Sequence, residues 1–143
     1  MFRFTEDDTL ADMAFEAEGR DLAELLAAAA RAVTATMVRN PDAIEPRQRR
    51  TLAVEAADPE RLLHKFLEEI VYYKDAEQLL LGRFDVRVAE APGGRLRAEG
   101  TAEGEPLDAA RHQQVVDVKA VTWHRFKVER APPGWRAFVI LDI

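Results

Sequence analysis

The stretch that most limits what this chain can become is Trp135-Arg136-Ala137-Phe138-Val139-Ile140-Leu141-Asp142-Ile143. Pro132-Pro133-Gly134 supplies a turn before it, and β-branched and aromatic residues fill it, so it is predicted to be a β-strand. Nearly every position is apolar, which asks for cover on both faces and a place in the middle of a sheet. The strand closes on an acid, Asp142, followed by Ile143. Asp142 and the terminal carboxylate of Ile143 are expected close together at the mouth of this buried strand. Such a pair repels itself unless a cation or a cluster of donors joins it. The competing expectation is an ordinary surface aspartate at a strand end.

The remaining residues can build one core around that strand. At 143 residues, with 48% hydrophobic and 32% charged side chains, the chain reads as a single globular domain spanning 1–143 with no disordered block. No run approaches the eighteen apolar residues that a membrane span needs. Met1-Phe2-Arg3-Phe4 lacks an apolar signal region, so a cytoplasmic protein is expected, with no membrane partner. Cysteine is absent, which excludes disulfides, thiolate metal sites and cysteine nucleophiles. Serine is absent too, and serine-based acyl transfer goes with it. A formal net charge of −6 argues against a broad grip on nucleic acid and leaves room for hard cations and basic protein partners. Arg47-Gln48-Arg49-Arg50 is the one local basic run, and it reads as a solvated entry to the next strand.

In chain order, Phe2 to Phe4 is a short strand, and Glu6-Asp7-Asp8 an acidic turn. Asp12 to Ala17 is a second extended stretch, closed by Gly19. Asp21 is a predicted N-cap, with Glu24 at the capping-box spacing. Leu22, Leu25, Leu26, Ala29, Val33 and Met37 then recur at helical intervals, up to a stop before Asn40-Pro41. Thr51 to Glu55 is a strand with Leu52 and Val54 inward. Asp58-Pro59-Glu60 starts a second helix, combining cap, first-turn proline and an acid at the positive end of the dipole. Leu62, Leu63, Phe66, Leu67, Ile70 and Val71 form its buried face. His64 in that helix reads as exposed or as a hydrogen-bonded packing residue rather than a ligand. Phe84, Val86 and Val88 alternate with Arg83, Asp85 and Arg87 as a half-buried strand, and Pro92-Gly93-Gly94 turns it into a hairpin with Leu96 to Glu99. Glu105-Pro106-Leu107-Asp108 and His112 are expected in a polar loop. Val115 to Val121 should form a strand that Thr122-Trp123-His124 continues, with Phe126 and Val128 carrying the pattern on. Two helices against a mainly antiparallel or mixed sheet make an α+β fold.

Residue spacing alone exposes no active site. Three scattered histidines have no zinc spacing. No glycine-rich loop precedes a helix, so neither a P-loop nor a dinucleotide fingerprint is present. Carboxylates are plentiful, but no pair stands out by local spacing.

Four stretches together resemble the archease family: Thr9-Leu10-Ala11-Asp12-Met13-Ala14, Glu105 through His112, Lys119-Ala120-Val121-Thr122-Trp123-His124, and Val139-Ile140-Leu141-Asp142-Ile143. Their order and spacing agree with the family along the whole chain. The resemblance implies the archease fold and an accessory protein rather than an enzyme. It implies as partner the RNA-splicing ligase that joins tRNA halves using GTP and a divalent metal, with promotion of the ligase's guanylylation and multiple turnover. It also implies a metal site on Asp12, Asp142 and Ile143. That all-oxygen set suits calcium first, with magnesium or manganese as alternatives. Lys119 and His124 are candidate contacts to the ligase or its nucleotide, or else residues that cap and pack around their strand. The usual Asp-His-Thr-Ala-Asp signature reads Asp8-Thr9-Leu10-Ala11-Asp12 here, which keeps the metal aspartate and removes the histidine. Two other functions fit the residues: a chaperone-like module for another RNA-modifying enzyme, such as a tRNA methyltransferase, and a small carboxylate-based hydrolase.

Overall fold

Both helices begin where local chemistry marks them. In the computed structural model, which describes residues 1–5 and 12–143, helix α1 runs from Leu22 to Met37. Asp21 is extended and its side chain accepts the Glu24 N–H at 2.8 Å. Glu24 reaches back to the N–H of Arg20 at 3.2 Å, one residue before the cap, so the box closes one position early. The helix stops at Met37, ahead of Asn40-Pro41, and Pro41 opens a single 3₁₀ turn instead. Helix α2 runs from Pro59 to Glu77 with Asp58 accepting from the Arg61 N–H at 2.8 Å. Gln78, at φ 50°, closes it in the left-handed region. All six residues predicted for its inner face are buried.

The strands form two antiparallel sheets. The first contains β1 (Phe2–Thr5), β2 (Asp12–Gly19), β6 (Ala120–Val121), β7 (Lys127–Ala131) and β8 (Gly134–Asp142). Its order is β1-β2-β8, with β6 and β7 both pairing along the other side of β8. The second is β3-β5-β4, built from β3 (Gln48–Ala56), β4 (Leu79–Ala91) and β5 (Arg95–Pro106). The apolar stretch of the sequence analysis is therefore β8, and it lies in the middle of its sheet as expected. The predicted acidic turn at Glu6-Asp7-Asp8 falls outside the described residues.

Helix α1 packs on β2 of the first sheet and β4 of the second, and α2 packs on strands of both. A helix held between two sheets must be covered all round, which explains its alanine run: Ala28, Ala29, Ala30 and Ala32 are fully buried. Period-2 alternation directs Phe15, Ala17, Ala137, Val139 and Leu141 from the first sheet, and Leu52, Ala98 and Ala102 from the second, toward the helices. Strand β5 crosses β4 so closely that a Cβ on Gly100 or Gly104 would lie 1.8 Å from the carbonyl oxygen of Asp85 or Leu80, respectively. Only glycine fits there.

Three expectations change. Glu105 and Pro106 belong to β5 rather than to a polar loop, and Glu105 is buried at 2% exposure. The strand expected from Val115 to Val121 shrinks to Ala120–Val121, because main-chain and side-chain partners outside a ladder hold the preceding segment. Thr122-Trp123-His124 leaves the strand for a turn at His124-Arg125, since Trp123 packs on α2 instead of continuing the sheet. His64 is a hydrogen-bonded packing residue. It is 3% exposed, with Nε2 3.0 Å from the Val121 carbonyl and Nδ1 3.1 Å from Glu68.

Candidate functional site

Asp12 opens β2 and Asp142 closes β8, and the antiparallel register sets them directly opposite each other. The carbonyl oxygens of Asp142 and Ile140 accept the N–H groups of Lys119 and Thr122, at 2.8 and 3.1 Å, on the β6 side. Alternation along β8 therefore makes Asp12–Asp142 a non-hydrogen-bonded pair, the type whose Cα atoms come closest, about 4.5 Å apart. Both side chains belong to the sheet face turned away from the helices, shared by Ala14 and Ile140. Asp12, Asp142 and Ile143 are all partly buried. Like charges at such a position repel across the ladder. A hard divalent cation reverses that sign, and it takes oxygen ligands of the kind present here: two carboxylates and an oxygen of Ile143. The residues fit the ion in donor chemistry. Among the described residues no three acidic, histidine or cysteine side chains gather at one point.

The two further candidates stand differently. Lys119 reaches the site through its main chain, by the bond to Asp142, while its side chain is exposed. His124 is exposed in the turn after β6, on the stretch of chain that runs away from Asp142 toward the level of Ile140 and beyond.

A second polar cluster braces the segment leading to β6. The carboxylate of Glu105 accepts the Glu45 N–H at 2.5 Å and a short bond from Arg111, whose other nitrogen lies 3.0 Å from Glu45. Burial opposes ionisation of Glu105, but the Glu45 N–H and the Arg111 guanidinium outweigh it and hold its pKa down at about 2. His112 Nδ1 accepts the Asp108 N–H at 2.8 Å, which leaves the proton of the neutral ring on Nε2, 3.4 Å from Glu105. At that separation Nε2 is buried without a well-formed hydrogen bond. Farther along, Lys74 is buried and donates to the Val118 carbonyl at 2.7 Å, to Asp117 at 2.6 Å and to Asp75. Burial lowers its pKa, but the two carboxylates raise it further, so it stays charged. Asn40 clamps the same segment by accepting from the Gln113 N–H at 3.0 Å and donating to the Arg111 carbonyl at 3.2 Å.

The profile of the Archease protein family (MTH1598/TM1083) matches residues 2–143. The chain belongs to the archease family. It is similar to the protein archease of Pyrococcus furiosus, 38% identical over 134 residues that make up 93% of each chain. The protein archease of Methanopyrus kandleri is 35% identical over 138 residues, 96% of this chain and 97% of the relative. Among solved structures, the solution structure of Methanobacterium thermoautotrophicum protein 1598 superposes with a TM-score of 0.85 at 32% identity, covering 99% of this chain and 98% of that one. The crystal structure of an archease from Thermotoga maritima, described as a possible chaperone, shares the fold at a TM-score of 0.62 and 18% identity, covering 97% of this chain and 96% of that one.

Within this archease fold, three of the resembling stretches acquire distinct physical roles. Asp12 and Asp142 come together, as the resemblance implied, through a register that neither stretch reveals alone. The Glu105-to-His112 stretch is a buried brace. Its signal, an acid six residues before Arg111-His112, is visible in the sequence but looks the same there as loop polarity. The Trp123 ring, 58% exposed, lies 3.7 Å from the His64 ring and 4° from parallel to it. No periodicity in either segment points to that contact.

Proposed function

We propose that this chain is an accessory protein of an RNA-splicing ligase, promoting the ligase's GTP-dependent guanylylation and multiple turnover in tRNA splicing or RNA repair, and that it does so through a divalent-metal site at Asp12, Asp142 and Ile143. The observation that carries the reading is the opposed Asp12–Asp142 pair in a chain of the archease family. When bound, the ion supplies a positive centre that neutralises the pair and can act on charged oxygens of a partner. The chain's own residues do the rest. The β2–β8 ladder fixes the separation of the two carboxylates, and the Lys119 N–H anchors β6 against the Asp142 carbonyl beside them. In this reading the exposed Lys119 side chain, next to the Asp142 pairing, and the exposed His124, farther along the chain, are the candidate contacts to the ligase. The protein itself performs no catalysis in this reading.

The test is single-turnover guanylylation of the host's own ligase with the wild type, with Asp12→Ala and without either. Acceleration by the wild type alone is expected. Equal acceleration by Asp12→Ala removes the metal rim from the mechanism, and no acceleration by either removes the ligase.

The description of the Thermotoga maritima archease as a possible chaperone favours a second reading, a chaperone-like module for another RNA-modifying enzyme such as a tRNA methyltransferase. Protection of such a client from aggregation, undiminished by Asp12→Ala, would select it.

A further inference from the structure

The second sheet ends in an unsatisfied edge. Among the described residues, β4 pairs with β5 on one side and with no strand on the other. Up to Leu81 that other side is occupied: Thr34 Oγ1 donates to the Leu81 carbonyl at 2.7 Å, and Ile44 stands against Gly82. Past the register shift between Leu81 and Arg83 the edge is open through Ala91. A cleft of about 440 Å³ borders this part of β4, lined by Ala23, Val86, Arg87, Val88 and Ala89 and by Arg97 and Glu99 of β5. Exposed strand edges are templates for pairing unless a protein blunts them.

The sequence of this edge, Arg83-Phe84-Asp85-Val86-Arg87-Val88-Ala89, is complementary to itself. The Asp85 carbonyl lies against Gly100 of β5, so alternation turns the N–H and C=O groups of Phe84, Val86 and Val88 to the open side. We propose that β4 pairs antiparallel with β4 of a second copy, about a two-fold axis at Val86, joining the two outer sheets into one continuous sheet. In that register Val86 meets its own counterpart, and Phe84 meets Val88 of the partner copy, each pair exchanging ladder hydrogen bonds. Asp85 then faces Arg87 of the partner copy, and Arg87 faces Asp85, at non-hydrogen-bonded positions where cross-strand side chains approach most closely. Among the described residues of one chain neither Asp85 nor Arg87 has an ion-pair partner, whereas Arg49–Glu103, Arg95–Glu55 and Arg97–Glu99 are paired. Shifting the axis to Arg87 would oppose arginine to arginine. Phe84, Val86 and Val88 are only partly buried in one copy and gain cover in two. The contact is isologous and closed, so it yields dimers rather than fibres.

Sedimentation equilibrium of the full chain over a concentration series tests this, together with Asp85→Arg, Arg87→Asp and the double variant. A wild-type dimer is expected, with each single charge reversal weakening it at least about tenfold by opposing like charges twice, and with the double variant restoring it in reversed polarity. Hydrogen exchange adds a readout without mutation: the Val86 amide should gain protection as concentration rises. A protein that stays monomeric up to about 1 mM, or a dimer indifferent to the single reversals with Val86 unprotected, overturns the proposal. So does failure of the double variant to recover.

Discussion

Asp12 and Asp142 oppose each other across a non-hydrogen-bonded position of the β2–β8 ladder, beside the Lys119 N–H that binds the Asp142 main chain. On the proposed metal reading, a cation joins these two carboxylates and offsets their mutual repulsion. Asp142→Asn is therefore expected to raise metal-free stability by about 0.5 kcal/mol while abolishing stabilisation by calcium or magnesium. For the wild type, calcium at a hundredfold excess over its dissociation constant should add about 2.7 kcal/mol. Thermal melts with chelator and with each metal decide this. A wild type insensitive to all of them would remove the ion from the site.

The Glu105 brace predicts an acid limb. Its folded pKa, about 2, lies below the ordinary carboxylate value of 4.5, so its contribution is fully present above 4.5 and is lost as pH falls from there toward 2. Glu105→Gln should destabilise the protein by roughly 2 kcal/mol near neutral pH and flatten the loss between those two values. Denaturant titrations at stepped pH would show the wild-type and variant curves converging in acid. Parallel curves would refute the brace.

His64 and Trp123 predict a linked loss. His64→Ala leaves the Val121 carbonyl without its partner and Trp123 without its stacking surface, at a cost of roughly 2 kcal/mol. With Trp135→Phe as background, emission from Trp123 alone should shift toward that of a fully solvated indole on the same substitution. An unchanged spectrum would mean that the ring pair does not persist in solution.

Two glycine substitutions of equal size should differ sharply. Gly100→Ala drives a methyl group into the Asp85 carbonyl and is expected to prevent β4–β5 pairing and soluble folding. Gly93→Ala meets nothing within 4 Å and suffers only from its φ of +78°, a cost of about 1 kcal/mol. Expression and melting of the two variants side by side check the contrast.

What could be read in the sequence was what neighbouring residues decide among themselves. Asp21 with Glu24, and Asp58 with Pro59, place the helix starts because capping is settled within one turn. Phe84, Val86 and Val88 announce a half-buried strand by alternation alone. Glu105 was misplaced because its burial depends on Arg111 and on a main-chain N–H at Glu45, which no local pattern shows. Thr122-Trp123-His124 has strand-forming residues, yet an aromatic stack on a helix far back in the sequence draws it away. The number of sheets was also hidden, since alternation tells which side of a strand is wet but not which strands share a ladder. Asp12 and Asp142 came into view as a pair only through family likeness, being held together by a register between the two ends of the sequence.

The alanine-lined α1 acts as a shim. Its buried alanines keep β2 and β4 one slender helix apart, and small, close-packed side chains have little freedom to absorb a displacement. A load applied where β2 carries Asp12 would therefore be passed on through α1 to β4, rather than being taken up in between.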